Sequence, residues 1–230
     1  MRKFIVSLLA TAFAAMPLAA QDTPSEAPAT VQALDPVPVA APPRDVDPAL
    51  WVVKDEDTTI YLFGTVHILK PGLGWFDEGV KTAFDTSDRL VLEMVEPPAA
   101  ESQAVFMKVA LDQSGTTLRS KLTDADRAIY EKAMTVIGVP VQTLDPFDPW
   151  AAAVTMQVLG MTKSGFDLNS GVEKQLTAAA KLVNKPVSGV ETIEYQLGIF
   201  DSLPIADQIA FLNESAKNIG ELGTGMERLV

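Results

Sequence analysis

The chain has 230 residues, 47% of them hydrophobic, a formal net charge of −12, no cysteine and one histidine. The missing cysteines exclude a disulfide framework, a thiol nucleophile and any Cys-based zinc or iron–sulfur site, and one histidine excludes a His-rich metal cage built from this chain alone. Eighteen basic against thirty acidic residues leave no electrostatic footprint for nucleic acid, and the apolar content is that of a globular chain.

Residues 1–20 begin with Arg2 and Lys3, continue through an apolar run from Phe4 to Ala15, and end in small residues after Pro17. That is the pattern of a secretory signal peptide. The run falls short of the roughly 20 apolar residues of a membrane-spanning helix, so no transmembrane helix is expected in the mature chain, which is expected to be periplasmic or secreted. Residues 21–48 hold seven prolines and few large apolar side chains. Proline fixes φ and removes a donor, so this stretch reads as an extended linker. Residues 49–230 then remain to fold, enough for a sizeable core.

Trp51-Val52-Val53 and Thr59 to Phe63 flank the acidic turn Asp55-Glu56-Asp57, which predicts a hairpin. Apolar residues at Phe76, Val80, Ala83 and Phe84 have helical spacing. Leu90-Val91-Leu92 reads as a short buried strand that stops at Glu93. Helices are predicted over Ala99 to Asp112, from a Thr123 cap to Ile137 with Gly138 as the stop, and from Pro149 to Met161. Ser170-Gly171-Val172-Glu173 matches a capping box for a helix to Val183. Pro186 to Val190 reads as another strand, ending at Glu191. Two further helices, about 193–201 and 204–218, break at Pro204. Trp75 and Trp150 are expected to pack in the core or beside a pocket. Strands alternating with helices imply an α/β fold: a central mixed, largely parallel sheet with a helical insertion between its middle strands.

Three strands end in a chemically useful residue: His67 beyond Phe63, Glu93 after Leu92, Glu191 after Val190. Open α/β sheets bind ligands beyond the carboxyl ends of their strands. One His and two carboxylates make a sensible ligand set for a divalent cation such as Mn, Co or Zn, which can activate water or polarise a carbonyl. Each residue has a plainer reading too. His67 can be an ordinary hydrogen-bonded histidine, Glu191 can favour the next helix electrostatically, and Glu173 is explained by the capping box. No G-x-S-x-G elbow and no phosphate-binding glycine loop is present.

These segments resemble a known family. Tyr61-Leu62-Phe63-Gly64-Thr65-Val66-His67 is similar to the G-T-x-H signature of the TraB/PrgY/GumN family, related to Tiki proteins and more distantly to the erythromycin esterase (EreA) and ChaN-like group. Leu90-Val91-Leu92-Glu93 is similar to that family's strand ending in Glu, and Gly171-Val172-Glu173 occupies its G-V-D position. Pro186 to Gln196 is similar to its K-P-V-x-G-L-E-T-x-E-E-Q segment. The resemblance implies an EreA/ChaN-like α/β fold and a metal-dependent hydrolase of peptidase type in the bacterial cell envelope, acting on a peptide or small molecule. It makes His67 and Glu93 metal ligands and Glu191 a ligand or general base. The family pattern also carries a later G-x-x-H motif. This sequence has no second His, so the chain is expected to be a C-terminally truncated member with an incomplete sheet. The alternative is a non-catalytic envelope accessory or binding protein linked to polysaccharide export.

Overall fold

The computed structural model describes residues 43–228. The expected signal peptide and most of the expected linker lie outside the described residues. The fold is α/β. Its elements run β1 (Arg44–Asp45), β2 (Leu50–Lys54), β3 (Thr59–Phe63), β4 (Leu73–Gly74), α1 (Glu78–Thr86), β5 (Leu90–Met94), α2 (Ala99–Ala110), α3 (Asp124–Ile137), α4 (Pro149–Lys163), α5 (Val172–Leu182), β6 (Val187–Glu191), α6 (Ile193–Asp201), α7 (Ile205–Asn218) and α8 (Leu222–Glu227). Among the described residues the strands form three pairs: β2 with β3 antiparallel, and β1 with β4 and β5 with β6 parallel. The helical insertion, α2 to α5, lies between β5 and β6.

Local chemistry explains most boundaries. The β2–β3 turn closes on Asp55, whose carboxylate accepts from the Thr58 N–H at 2.7 Å and the Asp57 N–H at 3.2 Å. The Thr123 hydroxyl accepts from the Asp126 N–H at 3.2 Å at the start of α3. Gly138 ends that helix with φ +78°, a left-handed geometry that costs glycine little. Pro149 opens α4, where its missing N–H is no loss.

Two cores result. The larger is helical and centres on α4, which is buried on nearly every side and packs against α3, α6, α7 and α8. A helix apolar all round must lie inside the protein. Trp150 is fully buried there, stacked on Phe200 at 6.0 Å and edge-on to Phe106 at 6.0 Å. The smaller core joins the strands to α1 and α5 through Leu69, Trp75, Val80, Phe84, Val172 and Leu176, with Phe63, Leu90 and Val187 packed against it. Lys185 seals one edge of it, donating to the Phe84 carbonyl at 2.5 Å and to the Ser87 carbonyl at the end of α1. Val46 also packs on this core and Arg44 pairs with Leu73, so ordered structure begins before Ala49.

A half-buried ion cluster clamps the helical core. Lys121 reaches Asp112 at 2.7 Å and Asp148 at 3.2 Å, and the Asp112 side chain is only 5% exposed. The hydrogen bond from Lys121 holds the Asp112 carboxyl well below the usual carboxylate range. Lys121→Met leaves both carboxylates without their cation. It is expected to cost about 1–3 kcal/mol, less than the roughly 3–5 kcal/mol of a wholly buried pair. Because the folded value is depressed, this contribution is present above the unfolded carboxylate value of about 3.9 and disappears as pH falls through the lower folded value. Urea midpoints of the two proteins should therefore differ at pH 7 and converge in acid.

Candidate functional site

His67 lies in the loop that follows β3. The residues after it anchor that loop, since Ile68 and Leu69 are 1% and 2% exposed. Two backbone contacts fasten it to the start of α5 and to the turn before that helix: the Val172 N–H donates to the Val66 carbonyl at 3.0 Å, and the Asp167 N–H to the Leu69 carbonyl at 2.8 Å. Gly171 is pressed against the His67 main chain so closely that a Cβ there would lie 2.2 Å from the His67 carbonyl oxygen. The first turn of α5 is thereby brought to the imidazole.

Glu173 arrives with that turn. Its Oε1 lies 3.1 Å from His67 Nδ1, while the other ring nitrogen, Nε2, lies 3.9 Å from Oε2 of Glu93 at the end of β5. Glu173 is the most enclosed of the three side chains at 16% exposed, against 25% for His67 and 39% for Glu93. Burial opposes a charged imidazole. The close, negatively charged Glu173 carboxylate, with Glu93 and Glu96 beyond it, outweighs that, and the His67 pKa is raised. Burial likewise opposes the Glu173 carboxylate, but its His67 partner outweighs it and lowers the pKa. The ring is not well aligned on Oε1, which remains a buried oxygen without a full hydrogen bond.

The structure therefore brings together two of the three residues picked from strand ends and adds a third. Glu191 is held apart. It pairs in register with Met94, one residue past Glu93. Side chains alternate across a strand, so Glu93 and Glu191 leave the β5–β6 ladder on opposite faces. The Glu191 carboxylate instead accepts from the buried Gln196 amide at 3.0 Å. Among the described residues no group of three or more His, Asp or Glu is placed to hold a metal ion.

Glu173 differs from its expected role. Gly171, not Ser170, is the residue preceding α5, and no side chain caps this helix. Ser170 belongs instead to a short 3-10 turn started by Asp167, whose carboxylate accepts from the Asn169 N–H at 2.9 Å. Freed from capping, the Glu173 carboxylate turns to His67. Trp75 and Trp150 are buried as expected, at 3% and 0% exposure. Trp75 also lines an apolar pocket of about 320 Å³ beside Gly64 and Val66, with Trp51, Phe63 and Val172.

The family model for TraB/PrgY/gumN proteins matches residues 49–230. The chain belongs to the TraB/PrgY/gumN family. Its Gly64-Thr65-Val66-His67, Glu93 and Gly171-Val172-Glu173 segments, spread along the sequence of this family member, meet at one place in the fold. The chain is also similar to an uncharacterized protein of Treponema pallidum (strain Nichols), with 22% identity over 166 residues, 70% of this chain and 49% of the relative. It thus spans about half the length of that curated relative. No solved structure matches the chain significantly.

Proposed function

We propose that this TraB/PrgY/gumN chain is a metal-dependent hydrolase of peptidase type, exported to the bacterial cell envelope. The observation that carries the reading is an imidazole set between two carboxylates, one of them with a buried oxygen that lacks a full hydrogen bond. The donor types suit a divalent ion such as Mn, Co or Zn. His67 Nε2 and the Glu93 carboxylate would hold it. Such an ion, when bound, supplies an acidified water and a Lewis acid for a carbonyl.

The chain's own residues prepare that role. Glu173 faces Nδ1 and favours the tautomer that keeps the proton there, leaving the Nε2 lone pair toward Glu93. The loop anchors at Ile68 and Leu69 restrict movement of the ring. Glu93, the most exposed of the three, gives the site its opening to solvent. In this reading Glu173, rather than Glu191, completes the set around His67. Export rests on the basic and apolar start of the sequence, and among the described residues no helix is long and apolar enough to cross a membrane.

Titration calorimetry with Mn²⁺, Co²⁺ and Zn²⁺ tests the metal. His67→Ala is expected to abolish uptake, and Glu173→Gln, which acts through the ring, to weaken it about 10–100-fold. Uptake unchanged in His67→Ala refutes the reading. A second reading, a non-catalytic envelope protein, draws on the same geometry, because only two donors face the Nε2 side whereas catalytic zinc sites use three protein ligands. Absence of uptake by the native chain favours it.

A further inference from the structure

The loop that carries His67 is gripped from two sides. Leu69 enters the smaller core with Trp75 and Val172. Ile68, between Leu69 and His67, enters a separate cluster with Met161 at the end of α4 and Phe166 just beyond it. Leu168 and, from α8, Leu222 and Met226 pack against that cluster. The same helix meets the loop at a second point. Glu227 forms an ion pair with Lys70, whose ammonium also lies 5.4 Å from the centre of the Phe166 ring. Close contact with the end of α4 sets the height of α8. A Cβ at Gly223 would lie 2.9 Å from the Ser164 Cβ and 3.0 Å from its Oγ. A helix of six residues has little stability of its own, so these contacts hold it in place.

We infer that α8 is a positioning element for His67: Met226 and Glu227 set the place of the imidazole through Ile68 and Lys70 of its loop. The Val172 and Asp167 amides bond the carbonyls of Val66 and Leu69, one on either side of His67. Both bonds span a loop whose middle is held by Ile68. Adjacent Cα atoms are about 3.8 Å apart, so Ile68 does not move without carrying the His67 backbone with it. Cover of an apolar cluster needs only Leu222 and Met226, whereas the Lys70–Glu227 pair ties α8 to the loop itself. An exposed ion pair contributes little energy, so Met226 supplies most of the hold and Glu227 its direction. For metal uptake this role rests on the reading proposed above. The position of the ring does not, and the test is run on the metal-free chain.

The chain has one histidine, so a single imidazole NMR signal at fixed pH reports the surroundings of His67. Met226→Ala and Gly223→Ala are compared with the native chain by that signal and by amide hydrogen exchange. The first removes the anchor. The second favours an isolated helix but lifts α8 off Ser164. In Met226→Ala the Val172 and Asp167 amides are expected to exchange about tenfold faster, as loss of part of a buried methionine implies. The His67 signal is expected to move, with α2 and α3 unchanged. Glu227→Ala is expected to give a smaller change in the same direction. Met226→Leu is expected to keep both readouts native, and Ser164→Gly to restore them in Gly223→Ala by reopening the space. An unmoved His67 signal in Met226→Ala overturns the inference. Equal acceleration in α2 and α3 overturns it too, since α8 would then support the fold as a whole.

Discussion

Trp150→Ala is expected to cost about 3–5 kcal/mol, a large share of the roughly 5–15 kcal/mol that holds a typical domain together. Three observations set the size. The ring is fully buried, it touches aromatic partners on two sides, and it sits in the first turn of α4, against which four other helices pack. Removing it opens a cavity between α2 and α6, and Phe106 and Phe200 lose the ring they pack against. Trp150→Phe separates packing from polarity. Its indole N–H is buried without a partner, so phenylalanine loses some contact but also removes an unsatisfied donor, and the expected loss is well under that of alanine. Urea unfolding followed by far-UV circular dichroism measures both. A Trp150→Ala midpoint close to the native one would show that the helical core does not depend on this ring.

Gly171→Ala is expected to disrupt the site more than any other single-methyl change. The glycine φ is −58°, which alanine adopts freely, so the effect is steric alone. The added carbon would lie 2.2 Å from the His67 oxygen and 2.8 Å from its carbonyl carbon. Both are backbone atoms, and neither can swing aside as a side chain can. The loop and α5 must separate, which strains the Val172-to-Val66 hydrogen bond and draws Glu173 from the ring. Overpacking of this kind costs about 1–3 kcal/mol, and the clash with backbone places it at the upper end. The single histidine gives a clean reporter, because one imidazole signal is followed by NMR. Glu173 helps raise the His67 pKa, so the variant should titrate at lower pH than the native chain. An unchanged titration curve would mean that the dyad survives the methyl group.

The elements legible in the sequence were those fixed by neighbours in the chain. Thr123 and Gly138 mark α3 because a hydroxyl cap and a left-handed glycine act over three or four residues. The Asp55 turn and Pro149 work at the same range. The β1–β4 pair was not legible. Arg44–Asp45 sits in a proline-rich stretch, and its partner at Leu73–Gly74 is equally short. At the site, His67 and Glu93 stood out because polar residues ended apolar strands. Glu191 shared that signal but went elsewhere, since a parity difference of one residue along β6 sends a side chain to the other face. Glu173 was hidden by a motif with a local explanation. The capping box needs Ser170 at the helix start, and the 3-10 turn begun by Asp167 claims that residue first. Only the close approach of Gly171 to His67, across the whole helical insert, gives Glu173 its partner. Its position in the family's G-V-D segment was the one signal that set it apart.

The placing of Glu93, Glu96 and Glu173 around one imidazole also acts at a distance. On a chain of net charge −12, these carboxylates outnumber the one cation beside them, Lys174, which pairs with Glu96 at 3.6 Å, and bias the mouth of the site toward negative potential. Cations are drawn to it before any contact forms, and polyanions are slowed in approach however well they would fit. That long-range selection is screened over about 8 Å at physiological ionic strength. Association of a cation with this mouth should therefore slow as salt is added, while departure, governed by contacts inside the site, changes little.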